Sequence, residues 1–382
     1  MTAARGDPVA LLRDLVRIDS RNPSLVPDGP GEARAAQALA ETLGAWGLDV
    51  RLSDAAAGRP NVIGIVRGTG RGRSLMLNGH IDIVGVEGMA HAPFEAIESG
   101  GRVYGRGASD MKGGVAAMCA AAARLRGEVK GDVIVTAVVD EEWKSLGTAA
   151  VISQGLHTDA AIVTEPTRLA IMPAHKGFAW IEVVVHGRAA HGSRWDIGVD
   201  AIRHAGLLLA ELDRFDAEDL PRRTHPLLGR PSLHAATIDG GTGLSTYPDR
   251  CVVRIERRTI PGERVAGVRA EIDDACARVR SRRADFEAEV TVSFSQPPSD
   301  VPVDAPIVRA ANDALQAHGR DSTPLGMSAW TDAALLNEAG IPAICFGPGD
   351  MGLAHAAEEY IETAEVEKAT EILVTLARSW CN

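Results

Sequence analysis

Apolar positions fall into short continuous runs separated by stretches of helical spacing. The segments "NVIGIVRG" (61–68), "RSLMLNGH" (73–80), "DVIVTAVV" (132–139), "AAIVTEP" (160–166) and "IPAICFGPG" (341–349) read as buried strands. Between them, "EARAAQALAETLGAWG" (32–47), "KGGVAAMCAAAARLRG" (112–127) and "APIVRAANDALQAHG" (305–319) repeat apolar residues at helical spacing. Strands alternating with helices predict an α/β layer with a largely parallel mixed sheet flanked by helices. The first twenty residues, "MTAARGDPVALLRDLVRIDS", read as an amphipathic helix rather than a signal peptide, because they hold no long apolar region and no small-residue cleavage site.

The middle of the chain has another rhythm. "GFAWIEVVVHGRAAHG" has strand character, "GVDAIRHAGLLLAELDRF" is helical, and "RPSLHAATIDGG", "DRCVVRIERRTIPG" and "EAEVTVSFSQPP" are strands, with a helix near "RVAGVRAEIDDACARVRSRR" before the last. This β-α-β-β-α-β order predicts a small α+β domain of split βαβ type inserted into a larger one. The expected division is 1–174 and 297–382 for the larger domain and 175–296 for the insertion.

Composition narrows the function classes. The chain has 382 residues and a net charge of −11, so nucleic acid and anionic membranes are not expected partners. No apolar stretch reaches the length of a membrane span. The five cysteines are scattered and contain no C-x-x-C pair, which fits free thiols in a reducing cytoplasm and speaks against a cysteine metal site.

The polar residues at strand ends carry the chemistry. The run from Val133 to Val139 stops at Asp140, Glu141 and Glu142. "LMLNGHID" ends in His80 and Asp82, "AAIVTEP" in Glu165, and the loop after 345 reaches His355, while Asp110 precedes a helix rich in glycine and alanine. Functional groups in open α/β sheets gather at the carboxyl ends of the strands. Adjacent carboxylates there can coexist if cations sit between them. Two histidines and three carboxylates suit two zinc-like ions with open positions for water. Asp110, in its glycine-rich setting, is the best candidate to bridge them. In an extended segment Glu141 and Glu142 point to opposite sides, so that one binds metal while the other faces water. Asp82 is placed to orient the His80 imidazole.

With those residues in view, the sequence resembles the M20 family of metallopeptidases, the group of acetylornithine deacetylase, succinyl-diaminopimelate desuccinylase and carboxypeptidases. The matching stretches are "NGHIDIV", "YGRGASDMKGG", "VVDEEWKSLGT", "TEPT", "GRAAHGS", "ERRTIPGE", "WTDAALLNEAGIPAICFGPG" and "AHAAEEYIE", in family order across nearly the whole chain. The resemblance implies that His80 and Glu165 bind one metal and Glu142 and His355 the other, with Asp110 bridging. It implies Glu141 as general base, two divalent ions per chain (zinc first, cobalt or manganese as alternatives), and an inserted lid and dimerisation domain. His191 would reach a neighbouring subunit's site to stabilise the oxyanion, and Arg258 would anchor a substrate carboxylate.

The sequence departs from the family at three places. Ser245 stands where many relatives carry the Asn of a substrate contact, Met111 where some carry a second Asp, and Trp330 where others have small residues. The implied activity is removal of an N-acyl group from an amino acid or related small amide, in the manner of the acetylornithine deacetylases. The alternatives are a desuccinylase or a carboxypeptidase-like dipeptide hydrolase and, more remotely, a non-catalytic binding protein on the same fold. Against the last, all five ligand positions and Glu141 are present. A cytoplasmic homodimer is expected, and His175, His186 and the remaining histidines are assigned to structure.

Overall fold

The computed structural model describes residues 3–382 and divides into two units, one of residues 3–173, 301–325 and 331–382 and the other of 174–300 with 326–330.

The first unit is built on a six-stranded sheet. In spatial order its strands are Asp49–Ala56, Arg59–Val66, Val133–Val138, Leu75–His80, Ala160–Val163 and Ala343–Cys345. Leu75–His80 lies parallel to both Val133–Val138 and Ala160–Val163, and Ala343–Cys345 parallel to Ala160–Val163. The first two strands run antiparallel, as does the pairing of Arg59–Val66 with Val133–Val138. The parallel strands are buried along their whole length, which is why they read as unbroken apolar runs rather than alternating ones.

Helix Gly113–Arg124 packs between helices Pro8–Val16 and Thr363–Cys381 and buries every residue but Arg124. Its Gly/Ala composition permits the close fit. A Cβ on Gly114 would lie 1.9 Å from the Thr164 carbonyl oxygen, so only glycine lets the helix approach that strand end. Helix Pro8–Val16 is shorter than the amphipathic stretch read from the sequence. It starts where Asp7 accepts the Val9 and Ala10 N–H groups, at 3.1 and 3.0 Å, with proline at the first helical position. Among the described residues, no helix is long and apolar enough to cross a membrane.

The second unit is a four-stranded antiparallel sheet in the order Ser232–Gly240, Arg250–Thr259, Gly177–His186, Glu287–Gln296. Helices Ala201–Glu218 and Val265–Arg282 cover one face. Ala179, Ile181, Val183 and Val185 alternate onto that face and pack with Leu208, Leu212, Ile272 and Val279. The chain order is the predicted β-α-β-β-α-β. Strand Ala174–His175 pairs antiparallel with Ser299–Asp300 and parallel with Gly326–Met327, which ties 326–330 to this unit.

Candidate active site

Three parallel strands end side by side. His80 is the last residue of its strand, in register with Val138 of the neighbour, and Glu165 lies two residues beyond the end of Ala160–Val163. The chain after Val138 does not stay extended. Asp140 adopts a left-handed conformation, φ 68°, and its carbonyl accepts the Lys144 and Ser145 N–H groups at 3.1 and 2.6 Å. This turn corrects the expectation that Glu141 and Glu142 point to opposite sides. Both carboxylates come within reach of His80, because an αL residue ends the two-residue alternation on which that expectation depended.

The side chains form one cluster. The Nδ1 of His80 meets the Asp82 carbonyl oxygen at 2.9 Å, which turns Nε2 toward Asp110 Oδ1 at 3.2 Å. Glu141 Oε2 and Glu165 Oε1 lie 3.9 and 4.0 Å from the same Nε2. His355 Nε2 is 3.0 Å from Glu142 Oε2 and 3.5 Å from Asp110 Oδ2. Asp110 thus turns one oxygen to each histidine. Two sets, His80–Asp110–Glu142 and His80–Glu141–Glu165, each offer three ligand atoms within 4.8 Å of one another.

The charges fit divalent cations. Among the described residues, no lysine or arginine lies in ion-pairing distance of Asp110, Glu141, Glu142 or Glu165, whose charged neighbours at that distance are the two histidines. Burial, followed by repulsion from neighbouring carboxylates, holds Glu165 well above the usual carboxylate range, and burial does the same to Glu141 against the pull of His80. The hydrogen bond to Glu142 raises His355 to about 9. Buried acids crowded together with no lysine or arginine between them are a setting that divalent cations would neutralise. Carboxylates and imidazoles with no thiolate are a donor set for zinc, cobalt or manganese.

Asp82, expected from the sequence, and several further residues hold these groups in place. Asp82 accepts the backbone N–H groups of Glu141 and Glu142 at 3.1 and 3.2 Å, so it fixes the turn as well as the His80 segment. Asn22 donates to Asp82 at 2.8 Å and to Asp140 at 3.2 Å. Arg59 donates to Asp140 at 2.7 Å and forms a two-pronged pair with Glu32. Asp332, which burial raises to about 6, accepts from Thr148 at 2.6 Å. Of these, Asp140 and Asp332 lie in segments whose family resemblance is clear, and Glu32 opens a predicted helix with nothing to mark it as a partner of the site. Asn22 and Arg59 carry no local signal.

The other predicted residues lie in the second unit. His191 and Ser245 sit on two exposed loops joined by the Gly192 N–H to Ser245 carbonyl bond at 2.7 Å. Ser193 engages His191 Nδ1 through its N–H at 3.3 Å and its hydroxyl at 2.8 Å. Arg258 lies on the sheet face away from the helices. Its Nε donates to Glu256 at 2.7 Å, its guanidinium stacks 5.3 Å from the Phe178 ring, and Trp180 donates to the other Glu256 oxygen at 3.1 Å. Trp330 donates to the Pro297 carbonyl at 2.9 Å and packs edge-on against Phe178 and His175. Met111 lies buried with its sulfur 3.2 Å from the His80 N–H.

Residues 76–379 match the sequence profile of peptidase family M20/M25/M40. The chain is 31% identical to an acetylornithine deacetylase of Myxococcus xanthus, over 86% of each protein. It is 30% identical to an N-formyl-4-amino-5-aminomethyl-2-methylpyrimidine deformylase of Bacillus subtilis, over 90% of this chain and 88% of that one. Among solved structures, a tripeptidase of Staphylococcus aureus superposes with a TM-score of 0.83 at 20% identity, over the full length of both chains.

Proposed function

The chain belongs to the M20/M25/M40 peptidase family, and from that premise we propose that it is a two-metal amidohydrolase that removes an N-acyl group from an amino acid or related small amide. The observation that carries the reading is Asp110, whose two oxygens face His80 and His355 at 3.2 and 3.5 Å. His80 and Glu165 would hold one ion, Glu142 and His355 the other, and Asp110 both. Two such ions, zinc by preference, supply Lewis acidity that polarises the scissile carbonyl and acidifies water.

The protein's own groups would do the rest. Glu141, within the cluster but left over from the five ligands, would take a proton from the attacking water and pass it to the leaving amine. His191, with Nδ1 engaged by Ser193 and its loop exposed, would donate from Nε2 to a developing oxyanion. The resemblance to the family supports a homodimer in which that donor serves the partner's site. Arg258 has its Nε engaged by Glu256, leaving the far edge of the guanidinium for a substrate carboxylate.

A second reading follows from the deformylase relative: an N-formyl group on an amine that carries no carboxylate. Desuccinylation and dipeptide hydrolysis keep the same chemistry and change the acyl or amine partner. The test is a metal-supplemented assay across N-acetyl, N-formyl and N-succinyl amino acids, dipeptides and their carboxamide counterparts. Hydrolysis of free-acid substrates, lost on chelation, is the expected result. No turnover across the panel, or full turnover in metal-free protein, would overturn the proposal.

A further inference from the structure

Asp110 sits where regular structure gives its backbone nothing to rely on. The segment Ala108–Lys112 is an irregular turn, with Asp110 at φ −119°, ψ 96° and Met111 at φ −131°, ψ 34°. Its N–H points instead at a buried carboxylate far along the chain. Glu359 Oε1 accepts the Ser109 and Asp110 N–H groups at 3.0 and 3.1 Å. Glu359 Oε2 accepts the Gly107 N–H at 3.0 Å and Arg106 Nη1 at 2.7 Å. Four donors use the full accepting capacity of one carboxylate.

The rest of the pair is equally fixed. Glu359 is fully buried and Arg106 nearly so. Arg106 also donates from Nε to the Gly85 carbonyl at 2.8 Å and from Nη1 to the Ala356 carbonyl at 3.2 Å. The Glu359 carbonyl in turn accepts the Gly105 N–H at 3.2 Å. Glu359 lies four residues after His355, so one short segment carries both a candidate ligand and the group that grips the loop of another.

We propose that Glu359, held by Arg106, is a positioning residue that sets the separation of Asp110 and His355 and thereby the affinity of the metal centre. This rests on the reading of Asp110 as a ligand shared by two ions. A glutamine at 359 is nearly the same shape but brings one acceptor and one donor. Its NH₂ must face either the Ser109/Asp110 pair or the Gly107/Arg106 pair, and donor then meets donor. The loop must move to relieve this, taking Asp110 with it.

The test uses the full-length protein stripped with chelator and titrated with Co²⁺, reading the dissociation constants and the visible cobalt spectrum. Removing a group that orients a metal ligand typically weakens binding 10–100-fold, and Glu359→Gln should weaken cobalt by about that factor and alter the spectrum. Glu359→Asp, which keeps the charge but draws it back by one methylene, should fall between parent and Glu359→Gln. It also reads the same constant if Glu359→Gln does not fold. Arg102→Ala is the control: it breaks the Arg102–Glu362 pair, 2.7 Å in the adjoining small sheet, without touching the Asp110 loop, and should leave cobalt binding unchanged. Parent-like cobalt affinity and spectrum in Glu359→Gln would overturn the proposal. So would an equal loss in Arg102→Ala, which would mean general loosening. Asp110→Asn separates the two levels. If it loses metal while Glu359→Gln does not, only this inference fails; if it keeps both ions, the shared-ligand reading fails and this inference with it.

Discussion

Replacing Arg59 by methionine would expose how the turn carrying Glu141 and Glu142 is anchored. The Arg59 side chain is only 11% exposed, and its two partners, Glu32 and Asp140, are fully buried. Methionine keeps the length and most of the apolar stem, so the loss is that of the guanidinium. Two buried carboxylates are then left without a cation, and breaking a buried pair in this way costs about 3–5 kcal/mol. The penalty should depend on pH. Burial already raises the Glu32 carboxyl above its ordinary value, against the opposing hydrogen bond from Arg59. Without Arg59 it rises further. A carboxyl whose folded pKa exceeds its unfolded one adds most stability below the unfolded value and loses it as pH rises through the folded value. The variant should therefore be most destabilised near pH 8 and less so near pH 5.5. Urea unfolding of metal-free parent and variant at both pH values measures the difference, with shared titrations cancelling. Adding Glu32→Gln to the variant should recover about 0.5–3 kcal/mol, the usual coupling of contacting charges. A variant within about 1 kcal/mol of the parent at both pH values, or one whose penalty grows as pH falls, would refute the reasoning.

Other outcomes follow from the same geometry. Glu141→Gln should lower kcat by at least about 10²-fold with metal content kept, whereas Glu142→Gln should lose metal, as elemental analysis of the two variants will report. Equal metal loss in both would return Glu141 to the ligands, where its distance to His80 also allows it. Arg258→Ala should raise KM for free-acid substrates by a factor corresponding to about 1.5–3 kcal/mol and leave carboxamide substrates unaffected, read from kcat/KM on matched pairs. His175, which burial lowers to about 4, binds its proton more weakly in the folded state, so its contribution is intact above about pH 6.5 and fades as pH falls toward 4. His175→Leu should accordingly flatten the fall in stability between pH 7 and 5, by at most about 2 kcal/mol, in paired urea titrations. Mixing His191→Ala with Glu141→Gln chains should restore about a quarter of parental activity if the histidine serves the partner's site, since about half the dimers are mixed and each holds one complete site. Verified mixed dimers with no recovery would place His191 in its own chain's site.

The parts of the site that could be read from sequence are those where a buried strand stops. Leu75–His80, Val133–Val138 and Ala160–Val163 are apolar because both faces are covered, so the first polar residues after them stand out. The strand Asp49–Ala56 escaped the same reading. It lies at the sheet edge with mixed burial, and "DVRLSDAA" has neither an apolar run nor clean alternation. "IPAICFGPG" was readable as a strand, but only Ala343–Cys345 pairs, because the glycines and proline that follow leave the ladder. The turn at Asp140 depends on a positive φ that aspartate tolerates without advertising it. The groups that steady the ligands are separated from them by long stretches of chain, as Glu359 is from Ser109 and Arg59 from Asp140. Such pairings arise from topology and leave no local pattern.

The short ladder of Ala174–His175 with Ser299–Asp300 makes the segment 174–300 an exchangeable cassette. Ala174 faces Asp300 and His175 faces Ser299, so this segment begins and ends on adjacent, paired strands. A segment whose ends already meet can be lengthened, shortened or replaced at a closure cost that grows only with the logarithm of its length. A grafted module would need to bring its own edge for Gly326–Met327, which pairs along Ala174–His175 on the other side. Within that constraint, recombination could swap the part of the protein that bears Arg258 and His191 while the strand ends bearing the acids and imidazoles remain as they are.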